Sequence, residues 1–324
     1  MRDRNRYTFL YPITIVNKKW YNYKSFGSKM KEIMIAPQLD VGDYINRTRR
    51  DVESCLLVHV RLSLGLRFHP LNKTQEAMEY ALLSPGHRWR PILSLALGQE
   101  YGNDHPNLLP LSCGIEFFHA ASLILDDLPS ADNATLRRGQ PTCHLKYGEV
   151  VAKQAARGLI KHGDLTVLFC SPENNIDLIT RAYDVKRNAV DAQIADLDET
   201  PTSIQDVLRM IDGKSVGPYA FAVHVGVASA DGNLIKGWNE QAITDFGRNI
   251  GRAYQIADDI GDVVSSPEEV GKDVGQDKGK ITSVSLLGLE EARREAAKYK
   301  QNAMRMVREK RLLVDLLDKM IVIP

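Results

Sequence analysis

The chain has little of what would mark a thiolate-metal, membrane or nucleic-acid protein. Its 324 residues hold four cysteines, Cys55, Cys113, Cys143 and Cys170, spaced too widely for a zinc site or a redox motif. Reduced thiols in an intracellular compartment are therefore expected. Long hydrophobic runs are missing too. The most apolar stretch, Pro218 to Ala230, is shorter than the roughly 20 residues that cross a bilayer and contains His224, so no membrane span and a cytoplasmic location are expected. Neither sign of charge dominates, because 42 Lys and Arg face 41 Asp and Glu. Without a basic field, nucleic acid is not an expected partner. No strand-like alternation of useful length, no solenoid repeat and no low-complexity block is present.

Helices fill the space those absences leave. From Asp40 onward, apolar residues recur at helical spacing between turn signals such as Ser84-Pro85-Gly86, Asn103-Asp104-His105-Pro106 and Ala230-Asp231-Gly232-Asn233, which predicts a single all-helical domain over 41–324. Thr202 followed by Gln205 reads as a capping box. Residues 1–40 differ. Eight Lys and Arg, from Arg2 to Lys31, face only Asp3 and Glu32, and a loosely docked or disordered extension is expected. An organelle-targeting segment is the other reading, weakened by Pro12 and a shortage of Ser and Ala.

Two aspartate-rich segments stand about 130 residues apart: Asp126-Asp127-Leu128-Pro129-Ser130-Ala131-Asp132 and Asp258-Asp259-Ile260-Gly261-Asp262. Mg2+ prefers oxygen ligands and takes one or two protein carboxylates, completing its shell with water and phosphate oxygens. Two facing acidic clusters are thus a clamp for a diphosphate rather than a cage for an ion. Asp258 and Asp262 lie at i and i+4, on one helical face. Asp126 and Asp132 are six apart, and Pro129 can break the helix so that Asp132 returns towards Asp126. An isolated cluster of this kind is most often a solvated helix face. Here Ile115, Phe118, Ser122 and Leu125 follow helical spacing in a nearly uncharged run before the first cluster, so the acids end a buried helix. Like charges there raise one another's pKa unless cations neutralise them.

Basic residues occur where an anion clamp needs them. Gly86-His87-Arg88-Trp89-Arg90-Pro91 opens a helix, Arg137-Arg138-Gly139 follows the first cluster, and Lys214-Ser215 lies on the helix starting near Ile204. Lys272, Lys278 and Lys280 come after the second cluster. His119 sits two helical turns before Asp126, where a lone histidine is ordinarily a core residue.

Taken in order, Gly86-x-Arg88-x-Arg90-Pro91, His119 to Pro129, Asp132 to Gly139, Lys214-Ser215 and Tyr254 to Asp262 resemble the trans-isoprenyl diphosphate synthases of the farnesyl and geranylgeranyl type, over about residues 45 to 300. The resemblance implies an all-helical bundle around a deep central cavity, usually a homodimer. The implied reaction joins isopentenyl diphosphate to an allylic diphosphate (dimethylallyl, geranyl or farnesyl) with loss of diphosphate. It implies Mg2+, three ions in all, held by Asp126, Asp127, Asp132, Asp258 and Asp262, with Asp259 in the same catalytic cluster. Arg137, Lys214 and Lys272 match positions that hold the allylic diphosphate, and Lys280 joins them. Gly86, His87, Arg90, His119 and Arg138 match the isopentenyl diphosphate site. Ser215 and Gln255 match groups that face the carbocation.

Chain length, by the same resemblance, depends on residues one or two turns before Asp126. Ala121, beside the small Ser122, stands where farnesyl synthases commonly carry a large aromatic, five residues before the first Asp, and Phe118 is the next bulky residue. A twenty-carbon product is expected. Three features depart from the family, one of them the loop Asp273 to Lys280, which is compact compared with common members. His87 stands in place of the usual lysine, and a histidine near its reference pKa of about 6.5 is only partly cationic at neutral pH. The usual Gly-Asp-x-Leu-Leu segment is missing, while Gly163-Asp164 comes several residues late. A farnesyl diphosphate synthase and a non-catalytic, product-modulating subunit are the alternatives; the two intact clusters argue against the second.

Overall fold

Polar caps and helix-breaking turns divide the chain after Asp40 into helices, and the computed structural model describes residues 40–63, 71–171, 175–198, 201–264 and 281–324. These all fall in one unit, Asp40–Pro324. The basic extension, which ends at residue 39, and the lysines Lys272, Lys278 and Lys280 lie outside the described residues.

The elements in order are α1 (Val41–Ser63), α2 (Lys73–Leu82), α3 (Trp89–Tyr101), α4 (Leu108–Asp126), the strands β1 (Leu136–Arg137) and β2 (Gln140–Pro141), α5 (Cys143–Tyr147), α6 (Glu149–Cys170) and α7 (Ile176–Asp198). There follow α8 (Ile204–Ile211), a π-helical turn (Asp212–Val216), α9 (Gly217–Val227), α10 (Glu240–Val264), α11 (Ser283–Leu287), α12 (Leu289–Met306) and α13 (Arg311–Met320). The expected all-helical class is what the chain adopts. One short antiparallel hairpin interrupts it, with Leu136 opposite Pro141 and Arg137 opposite Gln140.

Helix α4 forms the centre. It is apolar and long enough to cross a membrane by composition, yet 72% of its most apolar window is buried within the protein, and it packs against α6, α3 and α1. The main core joins Ile92, Leu93 and Leu97 of α3 with Tyr219 and Val223 of α9 and Phe246 and Ile250 of α10. Two glycines allow α10 its close approach. A Cβ on Gly247 would stand 2.5 Å from Ala220 Cα, and one on Gly251 would stand 2.7 Å from Val216 Cα, so α10 lies backbone to backbone against α9 and the π-helical turn.

That turn inserts an extra residue's worth of winding into an otherwise continuous helix, a distortion that often marks a functional position. Its anchor is Arg252 on α10. The guanidinium Nε and Nη2 donate to the two Asp212 carboxylate oxygens at 2.8 and 2.7 Å, and Nη1 donates to the Tyr299 hydroxyl of α12 at 3.0 Å. The capping box of α8 falls one residue later than expected. Ser203, with extended backbone, accepts from Asp206 N at 3.2 Å, while Asp206 Oδ2 accepts from Ser203 N at 2.9 Å. Thr202 donates both its backbone N–H and its hydroxyl to the same carboxylate, at 3.1 and 3.2 Å.

Candidate active site

The first acidic cluster is built by the end of α4. Asp126 is its last residue, Asp127 its C-cap, and Pro129 lies in the turn beyond. The chain then doubles back: Ala131 N and Asn133 N donate to Leu128 O, and Asp132 N donates to Asp126 O at 2.9 Å. Asp132 thereby returns beside Asp126, as the spacing predicts. Burial pushes the Asp126 carboxyl up to about 6, with Asp132 and Asp127 adding to the rise and Lys214 and Arg137 opposing it. A carboxylate so placed is one that a cation would relieve. Asp127 points elsewhere. It is 3% exposed and accepts Arg137 Nε at 3.0 Å, so it orients a guanidinium beside the site.

The hairpin delivers the two arginines. Arg138 and Gly139 have φ of 56° and 74°, the left-handed pair that a tight two-residue hairpin loop requires. Arg137 is sent towards Asp127 and Arg138 towards α2, α3 and α4. Arg138 Nη1 donates to Ser84 Oγ at 3.2 Å, and its Nη2 stands 3.5 Å from His119 Nε2. A Cβ on Gly86 would meet Arg138 Nη1 at 2.7 Å, which explains glycine at that position. His87 stacks on Trp89 with ring centroids 5.4 Å apart. Burial, then Arg49 and Arg138, hold its pKa below the ordinary histidine range. It is therefore largely neutral at pH 7 rather than partly charged.

Arg90 lies over the Tyr219 ring at 4.8 Å, and its Nε, like that of Arg49, is buried without a hydrogen-bond partner among the described residues. Burial pushes His119 far down, reinforced by Arg90, Arg138, Arg88 and Arg137. Guanidinium groups thus converge on two imidazoles held neutral, Arg90, Arg138, Arg88 and Arg137 acting on His119 and Arg49 and Arg138 on His87, a surplus of positive charge that suits an anionic ligand. Arg88, by contrast, is committed to the fold. At φ 57° and 4% exposed, it donates to Ser84 O at 2.8 Å and to Glu116 at 3.3 Å.

The second cluster stands on α10, beside the π-helical turn. Asp258 is exposed and Asp262 partly so, whereas Asp259 is 6% exposed. Ser215 Oγ donates to Gln255 Oε1 at 2.9 Å, Gln255 Nε2 donates to Asp259 Oδ1 at 3.0 Å, and Ser283 Oγ donates to Asp259 Oδ2 at 2.7 Å. This chain of bonds locks the Gln255 amide one turn before Asp258. Lys214, in the π-helical turn, acts electrostatically on Asp126. The π-helical turn thus links both clusters.

Asp126, Asp132, Asp258 and Asp262 remain as the accessible carboxylates. No group of three or more His, Cys, Asp or Glu preassembled for a metal occurs among the described residues. All-oxygen donors split between two helices suit Mg2+ ions that complete their shells with water and substrate oxygens. Sequence reading missed Ser283, Ser84 and the Arg252–Asp212 pair, which lie in no acidic or basic cluster, and Arg49, which lies in the basic run Arg47-Thr48-Arg49-Arg50, far in sequence from the other site residues. It had Ser215 and Gln255 without the bond between them.

The sequence matches the polyprenyl synthetase family over residues 72–320. The chain belongs to that family. It is 34% identical over 234 residues to geranylgeranyl pyrophosphate synthase 10, mitochondrial, of Arabidopsis thaliana, covering 69% of this chain and 68% of that one. It is 33% identical over 284 residues to farnesyl diphosphate synthase of Geobacillus stearothermophilus, covering 84% and 92%. The structure resembles geranyltranstransferase from Thermotoga maritima, with 28% identity, a TM-score of 0.70 and coverage of 85% of this chain and 96% of that one. It also resembles geranyltransferase from Helicobacter pylori complexed with magnesium and isoprenyl diphosphate, with 25% identity, a TM-score of 0.72 and coverage of 88% and 97%.

Proposed function

We propose that this family member is a Mg2+-dependent short-chain trans-prenyltransferase that extends an allylic diphosphate with isopentenyl diphosphate to geranylgeranyl diphosphate, working as a homodimer. The observation that carries this reading is the π-helical turn between two acidic clusters, with Lys214 facing Asp126 and Ser215 bonded to Gln255. The crystallised Helicobacter relative with magnesium and isoprenyl diphosphate supports the same chemistry.

Asp126, Asp132, Asp258 and Asp262 would hold the ions. Bound Mg2+ supplies stabilisation for the negative charge that builds on the leaving diphosphate. The protein's own groups do the rest. Arg137, oriented by Asp127, and Lys214 bind the allylic diphosphate as its C1–O bond breaks and the electron pair passes to oxygen. Arg90, Arg138 and Arg49, with neutral His87 and His119, fix the isopentenyl diphosphate so that its double bond attacks C1. The Gln255 carbonyl oxygen, held by Ser215 and presented beside the cleft, faces the developing positive charge. A proton then leaves the new chain for the released diphosphate. No side-chain nucleophile is needed.

Product length follows from α4. Its Phe118, Ser122 and Leu125, at helical spacing before Asp126, are partly or fully exposed, as are His119 and Leu123, whereas Ala121 is 1% exposed. The small Ser122 leaves that stripe open down to Phe118, which favours twenty carbons over fifteen. Incubating the purified chain with Mg2+, isopentenyl diphosphate and each allylic starter in turn, then sizing the product, tests the reading. A twenty-carbon product, abolished by a chelator and restored by Mg2+, is expected; no condensation with any starter would overturn it.

A further inference from the structure

The active-site account leaves one sequence feature without a role: the Gly163-Asp164 pair that comes late on α6. Its surroundings supply one. A Cβ on Gly163 would stand 2.5 Å from Cε1 of Phe118 and 2.8 Å from Cδ1 and Cζ, so the ring rests on the glycine backbone. Asp164 pairs with Lys186 of α7. The same ammonium stands 5.0 Å from the centroid of the Phe118 ring, within cation–π range. Helices α4, α6 and α7 therefore meet at one phenyl ring, with glycine backbone against it and a cation over its face.

The position of that ring gives the cluster its meaning. Leu125 is 39% exposed, Ser122 is exposed and Phe118 is half-buried, while Ile115, nearly one turn further, is 2% exposed. The open stripe of α4 ends at Phe118, about 12 Å along the helix from Asp126. An apolar chain tethered by its diphosphate near Asp126 and lying along this stripe runs into Phe118. Charges stand against that ring. Growth past Phe118 would press hydrocarbon against the Lys186 ammonium and the Asp164 carboxylate, which hydrocarbon cannot solvate. The pair is partly exposed, at 24% and 46% of its side chains, so it adds little stability. Its effect lies in where it holds the ring and its charge.

We propose that Gly163, Asp164 and Lys186 are specificity-determining residues that make Phe118 a two-layer stop, an aromatic ring over a charged floor. This rests on the prenyl-chain elongation proposed above. Two consequences separate it from a stop made by Phe118 alone. Replacing Gly163 with alanine drives the ring into the channel and shortens the product. Removing the ring while leaving the ion pair exposes charge, so Phe118→Ala lengthens the product less than Phe118→Ala combined with Lys186→Met.

The test sizes the products of the full chain with Mg2+, geranyl diphosphate and isopentenyl diphosphate for wild type, Gly163→Ala, Lys186→Met, Phe118→Ala and the double variant. Lys186→Met keeps the stem of a partly exposed side chain, so the proposal stands testable even if Gly163→Ala fails to fold. Gly163→Ala should move the main product towards fifteen carbons. Lys186→Met should raise the ratio of twenty-five- to twenty-carbon product by about tenfold, the scale of a small change in an apolar pocket, and the double variant should exceed Phe118→Ala by a similar factor. Wild-type lengths in Lys186→Met, with the double variant equal to Phe118→Ala, would overturn this assignment alone. A wild-type chain that condenses nothing would overturn the assignment and the proposed reaction together.

Discussion

Asp126 illustrates how a single residue can serve function at the expense of the fold. Its folded pKa of about 6 exceeds the unfolded value of about 3.9, so the folded state holds a proton more tightly between those values. The ionised group therefore weakens the metal-free protein above about pH 6, and that loss disappears as pH falls towards 4. Asp126→Asn should raise the metal-free unfolding midpoint at pH 7.5 by roughly 2–4 °C, with little change at pH 4.5; a lower midpoint at pH 7.5 would contradict the origin given for the shift. His87 works differently. Burial and its arginine neighbours keep it neutral at pH 7, so its contribution to anion binding grows only as pH falls. His87→Lys should lower KM for isopentenyl diphosphate about threefold or more at pH 7.5 and flatten its pH dependence between 6 and 8. An unchanged KM at every pH would mean that the side chain does not touch the diphosphate. Sequence alone did not separate Asp126 from Asp127, although helical spacing set Asp258 with Asp262 rather than with Asp259. Adjacent acids look alike until Arg137 and Ser283, brought in from elsewhere in the chain, take one of each pair.

The π-helical turn is the element on which the site depends. Asp212–Val216 carries Lys214 and Ser215 and is tied to α10 by the Arg252–Asp212 pair and to α12 through Tyr299. Arg252→Leu should release the turn, lowering kcat by about tenfold because Lys214 and Gln255 lose their placement, while KM for isopentenyl diphosphate, bound on the α3–α4 side, changes little. Equal kcat in the variant would show that the turn holds its shape without the pair. Helices were legible from apolar spacing and turn residues, and the end of α4 from Pro129. The hairpin at Arg137–Gln140 was not, because strands of two residues offer no alternation to read and arginine is an unusual residue at φ 56°. The π-helical turn was hidden as well, since its extra winding is imposed by a partner 40 positions away.

At the scale of the whole molecule, α4, which ends in the first acidic segment, and α10, which carries the second, both pack against α9, and Lys214 of the π-helical turn acts on Asp126. Gly247 and Gly251 let α10 lie at backbone distance from α9 and the π-helical turn, and the hydrogen-bond chain from Ser215 to Ser283 aligns the second cluster with the turn. In the proposed reaction both clusters serve one diphosphate, so neither would work without the other. The most direct measurement is steady-state turnover with Mg2+, isopentenyl diphosphate and farnesyl diphosphate for wild type, Asp126→Ala and Asp258→Ala, each checked for an intact fold by circular dichroism. Each single substitution should cut turnover by on the order of a hundredfold or more, the scale for losing a preorganised charge-stabilising group. Near-wild-type turnover in either correctly folded variant would contradict a site shared by the two clusters.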